Sequence, residues 1–165
     1  MKLKYYSTTM LTSALAAILT LACSGTWAAD TAPVETTAEV AAPSRLSTAR
    51  LAIKAKDWKR ALSELNLAVK DEPKNADVYN LLGYANRKQA QPDLPKAFEN
   101  YKMALQLDPK HKGAHEYIGE AYLMDKKPAE AEKHLASLEK ICGNKTCEEY
   151  ADLAKSLASY RSKNK

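Results

Sequence analysis

What the 165-residue chain lacks narrows its chemistry before anything in it is read. It has no G-x-S-x-G elbow and no glycine-rich phosphate loop, and its five glycines are scattered. That excludes the usual nucleophile turn of a hydrolase and the usual cradle for a nucleotide phosphate. No Lys/Arg block and no interleaving of basic with aromatic residues occurs, and the net charge of +5 is modest. The electrostatic footprint of a nucleic-acid reader is therefore missing. Only three cysteines are present, and none forms a C-x-x-C pair or a four-ligand zinc set. His111 and His115 stand four residues apart, but no third ligand accompanies them and His111 precedes the helix. The expectation is a chain with no catalytic site, no metal and no cofactor.

A membrane span is missing as well. The one apolar run, Met10 to Cys23, is shorter than the about 20 residues that a spanning helix needs. Lys2 and Lys4 precede it, and small residues follow, with Thr26 and Ala28 at the −3 and −1 positions of a cleavage site. That order is the pattern of a secretory signal peptide over residues 1–28. The expected location is the periplasm, with no stable membrane insertion after cleavage. The rival is a lipoprotein anchored through Cys23, although Thr20 stands where a lipidation motif carries Leu. Loss of Lys2 and Lys4 leaves 23 basic residues against 20 acidic ones, a charge near +3. Residues 29–43, ADTAPVETTAEVAAP, have no apolar period and read as a disordered linker.

What remains is repetitive. The segments DWKRALSELNLAVKDEPKNAD, DLPKAFENYKMALQLDPKHKG and PAEAEKHLASLEKICGNK align on Ala61, Ala97 and Ala131, which recur at intervals of 36 and 34 residues. Leu65, Tyr101 and Leu135 follow four residues later, then Ala68 and Ala104; Pro73 and Pro109 close the first two units. Upstream lie VYNLLGYANRKQ with Gly83 and AHEYIGEAYLMD with Gly119. The set Leu82, Gly83, Ala97, Tyr101, Ala104 and Pro109 closely resembles the tetratricopeptide repeat. The resemblance implies an all-α chain: a right-handed superhelix of about three antiparallel helix pairs. The units are about 42–75, 76–111 and 112–145 within residues 44–145, and a capping helix follows at 146–162. It also implies that Gly sits at a close crossing of the paired helices. Three departures mark the units: Ala49 replaces the usual Gly in the first, AQPDLP inserts two residues in the second, and Gly143 replaces the closing Pro in the third.

Local signals agree with helices. Ser44, Asp57, Asn75 and Asp93 stand where N-caps belong, and Pro95 and Pro128 suit first turns. The first helix is expected to reach about Lys56. Trp58, Ala61, Leu62, Leu65 and Val69 form one apolar stripe of the second. In ICGNKTCEEY, Gly143 terminates one helix and Thr146-Cys147-Glu148-Glu149 reads as the capping box of the next. Cys142 and Cys147 thus face each other across one turn. A disulfide, a reduced thiol pair and metal or redox chemistry are the three readings, and export favours the disulfide. His134, eight residues before Cys142, lies about 12 Å away on a helix and is too far to share an ion.

Function then rests on a surface. The family's concave face, built by the first helix of each pair, implies a peptide-binding set of Arg50, Lys54, Asn80, Tyr84, Arg87, Lys88, Glu116 and Glu120, with Leu123 beside them. The bland alternative is a solvated mixed face. Arg50, Lys54, Arg87 and Lys88 make one half basic, suited to an acidic peptide or C-terminus. Leu46 and Arg50 replace two residues of the family's carboxylate clamp, which is not carried over. The expected role is a non-catalytic interaction module or scaffold for an unidentified protein or peptide. The alternative is an accessory or regulatory subunit of a periplasmic enzyme or envelope assembly complex.

Overall fold

Five helices begin where a side chain can replace a missing backbone partner. In the computed structural model, which describes residues 44–164, the carboxylate, hydroxyl or amide oxygen of Ser44, Asp57, Asn75 and Asp93 accepts from the amides of Ser47, Arg60, Asp77 and Lys96. His111 does the same for Ala114 through Nδ1. Such a cap contributes about 1 kcal/mol. The helices so started are α1 (Arg45–Lys54), α2 (Trp58–Asp71), α3 (Ala76–Lys88), α4 (Leu94–Leu107) and α5 (Lys112–Met124); α6 (Pro128–Cys142) and α7 (Glu148–Lys163) start without a side-chain cap. The described residues are all-helical, without a strand. The expected signal peptide, Cys23 and the linker lie outside the described residues.

The turns repeat in geometry as the segments do in sequence. α1 stops at Lys54 rather than Lys56 because Lys56 swings to φ +58°, and Lys126 does so at φ +57°. The Asp57 amide donates to Ala52 O, the Lys127 amide to Tyr122 O, and the Asp93 amide to Asn86 O. The two inserted residues are thus absorbed between Asn86 and Asp93, and the closing bond is kept. After α2 and α4 the amides of Asn75 and His111 donate alike to Glu72 O and Asp108 O.

Packing is made with small residues. Ten of the nineteen buried apolar residues are alanine, so helices meet close to backbone rather than through long side chains. Ala61, Ala97 and Ala131, the aligned positions, are all fully buried. Gly83 is the tightest case: a Cβ there would lie 2.5 Å from the ring of Tyr101. Gly119 departs from the expected pairing, since its missing Cβ makes room for Leu153 of α7 (2.6 Å) and not for α6. The last helix takes that place because it packs on both α5 and α6. No helix among the described residues is long and apolar enough to cross a membrane.

Cys142 and Cys147 are joined as a disulfide, with Cα atoms 6.3 Å apart. Gly143 is left-handed at φ +69°, as its terminator role requires. The capping box does not form. Thr146 gives both its amide and its hydroxyl hydrogens to Asn144 Oδ1, and Cys147, tied down by the bridge, becomes the N-cap without a side-chain bond. Glu148 and Glu149 still occupy the first turn of α7, where the helix dipole favours them.

Two predictions follow from this packing. Gly83→Ala gains about 1 kcal/mol of helix propensity, but it drives a Cβ into a fully buried ring, and overpacking costs typically about 1–3 kcal/mol. A lowered melting temperature is expected, with a smaller fall for Gly119→Ala, where leucine methyls and a terminal helix can give; a Gly83→Ala melt above wild type would reject the close approach. The bridge closes a short loop worth about 2 kcal/mol. Hydrogen exchange of Cys142→Ser/Cys147→Ser is therefore expected to quicken first in α7, and quickening that begins in α1 would contradict this.

Candidate functional site

One face of α3 carries Asn80, Tyr84 and Arg87 at i, i+4 and i+7, and one face of α5 carries Glu116 and Glu120 at i and i+4, spacings that align side chains along a helix. Tyr101 enters from α4. Tyr84, Tyr101 and Glu120 meet at Arg87, which is 5% exposed. Its Nε donates to the Tyr101 hydroxyl (3.2 Å), and its Nη2 lies 2.6 Å from Glu120 Oε2. That second contact is an ion pair rather than a directed hydrogen bond, since Nη2 is buried without a well-aligned acceptor. The guanidinium also sits 5.6 Å from the Tyr84 ring and 5.7 Å from the Tyr117 ring, a cation–π setting. Tyr84 and Tyr117 are themselves 4.8 Å apart, and Trp58 meets Tyr84 edge-on at 6.2 Å.

Electrostatics follow from that burial. Desolvation lowers the Arg87 pKa, but Tyr101 and Glu120 more than offset it and the net shift is upward. Burial pushes the Tyr101 hydroxyl well above its ordinary value. Glu120 is held twice, by Arg87 and by the Ser156 hydroxyl, which donates to Oε1 at 3.1 Å. Glu116 is not held: at 9% exposure it makes no hydrogen bond or ion pair among the described residues. Burial, then the carboxylates of Glu120, Asp152 and Glu149, push it up to about 8 against the pull of Arg87.

Beside this cluster an open groove of about 570 Å³ runs along α5 and α7, with Glu120, Leu123, Asp152, Lys155, Ser159 and Tyr160 among its walls. Of the residues expected at a binding face, Arg87, Glu120 and Leu123 line this groove, whereas Tyr84 and Glu116 belong to the cluster beside it and not to its walls. Lys88 lies over the Tyr84 ring at 5.7 Å. Asn80 is buried, with Oδ1 lacking a donor. Arg50 belongs to another cluster: its Nη2 pairs with Asp77 Oδ2 at 2.6 Å, while Asp77 Oδ1 accepts from His111 Nε2 at 2.9 Å. Lys54 is exposed at the end of α1. Two arginines of the expected basic half are thus already neutralised internally.

Sequence reasoning missed the α7 wall, having read that helix only as a cover. Asp152, Ser156 and Ser159 lie on the flank of the helix beside the buried Leu153 and Leu157, and the signal was the i, i+4 spacing of Asp152 and Ser156. It also missed His115 with His134. His115 Nε2 bonds to Pro109 O at 3.0 Å, and its Nδ1 meets His134 Nδ1 at 2.9 Å. The carbonyl fixes the proton on Nε2 of His115, so His134 donates from Nδ1. Burial and the neighbouring His115 lower His134 to about 4, and the contact between the two rings ties α5 to α6. Two nitrogens fall short of the three ligands of a catalytic zinc site. Cys142, Cys147 and Glu149 also cluster within 4.8 Å, but the bridge occupies both sulfurs.

No family model matches the chain, and no curated protein matches it.

The unpaired carboxylate has a measurable consequence. A pKa near 8 in the folded chain, against about 4.3 unfolded, means that the folded state holds the proton more tightly. Stability is then lost as pH rises from about 4.3 through 8. Glu116→Gln removes that loss, so its urea midpoint is expected to exceed wild type by more at pH 9 than at pH 5. A constant gap between the two chains would contradict the assignment.

Proposed function

We propose that this chain is a non-catalytic protein-interaction module of the tetratricopeptide type, exported to the periplasm, that binds an extended peptide along the groove between α5 and α7. The repeat reading is supported by the matched turn hydrogen bonds after Ala52, Asn86 and Tyr122 and by the buried alanines at the aligned positions. The observation that carries the binding reading is the groove itself. It is open along its length and mixes apolar walls (Leu123, Met124, Tyr160) with charged and hydroxyl groups, the composition that fixes a peptide by a few polar contacts over an apolar surface. Met124 is 44% exposed there, an apolar side chain left without cover.

Peptide display on the immobilised full chain tests this. Selected peptides are expected to bind in the micromolar range, about −8 kcal/mol, and to lose at least tenfold affinity on Ser159→Trp, which fills the exposed groove wall without entering the core. Peptides that bind the variant and wild type equally would place the binding face elsewhere.

A further inference from the structure

We infer that the groove between α5 and α7 takes an acidic extended peptide, one that sets two carboxylate side chains four residues apart against Lys155 and Lys163. This rests on the reading of the groove as the binding face and names the chemistry of its ligand. The sequence places an acidic preference on Arg50, Lys54, Arg87 and Lys88. In the folded chain that preference passes to the α7 wall, because Arg50 and Arg87 are already paired with Asp77 and Glu120.

Charge along the groove decides the sign. Its lining carries Arg87 from α3, Glu120 from α5, and Asp152, Lys155 and Lys163 from α7. Arg87 and Glu120 lie 2.6 Å apart and cancel. Both lysines are exposed, and neither makes an ion pair among the described residues. Two cations thus stand against the single carboxylate of Asp152. That carboxylate sits at one end of the wall, and beyond Lys155 the lining carries no further acid. Helix C-termini can favour a cation through their open carbonyls. Here the Asp125 and Lys126 amides donate to Ala121 O and Leu123 O, and Asn164 Nδ2 donates to Tyr160 O.

Spacing decides the register. Lys155 and Lys163 are eight residues apart, about 12 Å along a helix. An extended chain rises about 3.3 Å per residue and points every second side chain the same way. Residues i and i+4 of such a peptide therefore lie about 13 Å apart on one side, which matches the two lysines. Ser159 stands midway between them, and Leu123, Met124 and Tyr160 offer an apolar wall to the residue at i+2.

The test uses the full chain and fluorescent peptides, N-acetylated and C-amidated so that no terminal charge contributes. The reference is SSESLSESS. Two others carry glutamine or lysine in place of both glutamates, and a fourth, SSSELESSS, sets the glutamates two apart. The reference is expected to bind at least about fivefold more tightly than the glutamine and lysine peptides, and about threefold more tightly than SSSELESSS. Lys155→Gln and Lys163→Gln are each expected to weaken it about threefold and together about tenfold, the scale of exposed ion pairs. The glutamine peptide is expected to be indifferent to both changes. Lys59→Gln, the same charge change on exposed α2 outside the groove, is expected to leave the reference unaffected. Equal binding of the glutamate and lysine peptides, or an unchanged affinity for the reference in the double variant, would each overturn the inference. Equal binding at the two glutamate spacings would overturn the register. If display yields Ser159-dependent peptides that lack acidic residues, the charge preference fails while the binding function stands. If no selected peptide depends on Ser159 and the reference does not bind, both fail.

Discussion

The approach of the Tyr101 ring to the backbone of Gly83 is the constraint on which the rest depends. Only a residue without a Cβ admits an aromatic ring at that distance. The ring is thereby fully buried, and its hydroxyl is set where it accepts from Arg87. With Nε engaged, the guanidinium lies between two tyrosine rings and turns Nη2 to Glu120 of α5. Glu120 in turn holds Ser156 of α7. One missing methyl group thus fixes a line of contacts from α4 through α3 and α5 to the wall of the groove.

That line explains why two carboxylates one helical turn apart behave differently. Glu120 has a buried cation and a hydroxyl, and it stays an ordinary partner in an ion pair. Removing Arg87 would leave it as an uncompensated charge, the situation in which buried pairs are costly to break. Glu116 has neither partner and carries the repulsion of three acidic neighbours. A fold selected for stability alone would place glutamine or an apolar residue there. The conflict between stability and charge falls one helical turn from Glu120, in the same buried cluster.

The helices were legible because their signals are local. Ser44, Asp57, Asn75 and Asp93 cap as read, since an N-cap needs only its own side chain and an amide two or three residues on. The buried alanines were legible because the alignment marks them three times over. What failed needed distant partners. Thr146 has the sequence of a capping box, yet Asn144 and the disulfide compete for the same turn and win. Arg50 and Arg87 look like free cations in the chain, and only the packed structure brings Asp77 and Glu120 to them. Gly119 announces a close crossing without saying which helix fills it. The histidine pair joins positions nineteen residues apart, a separation no helical period indicates.

The disulfide gains a meaning from these placements that its loop length does not give it. A ring so short constrains the unfolded chain little, and about 2 kcal/mol is a small part of what holds seven helices together. It acts instead on position. α7 packs only on α5 and α6 among the major contacts of the structure, and its first residue follows directly on Cys147. The bridge sets the start of α7 against the end of α6. It thereby sets the register in which Leu153 enters the space left by Gly119 and Ser156 reaches Glu120. A shift of α7 by one residue would turn Leu153 out of that space and Ser156 away from Glu120. The covalent link and the missing Cβ at Gly119 therefore act together: they hold α7, which packs on α5 and α6, in the one register that completes the groove wall.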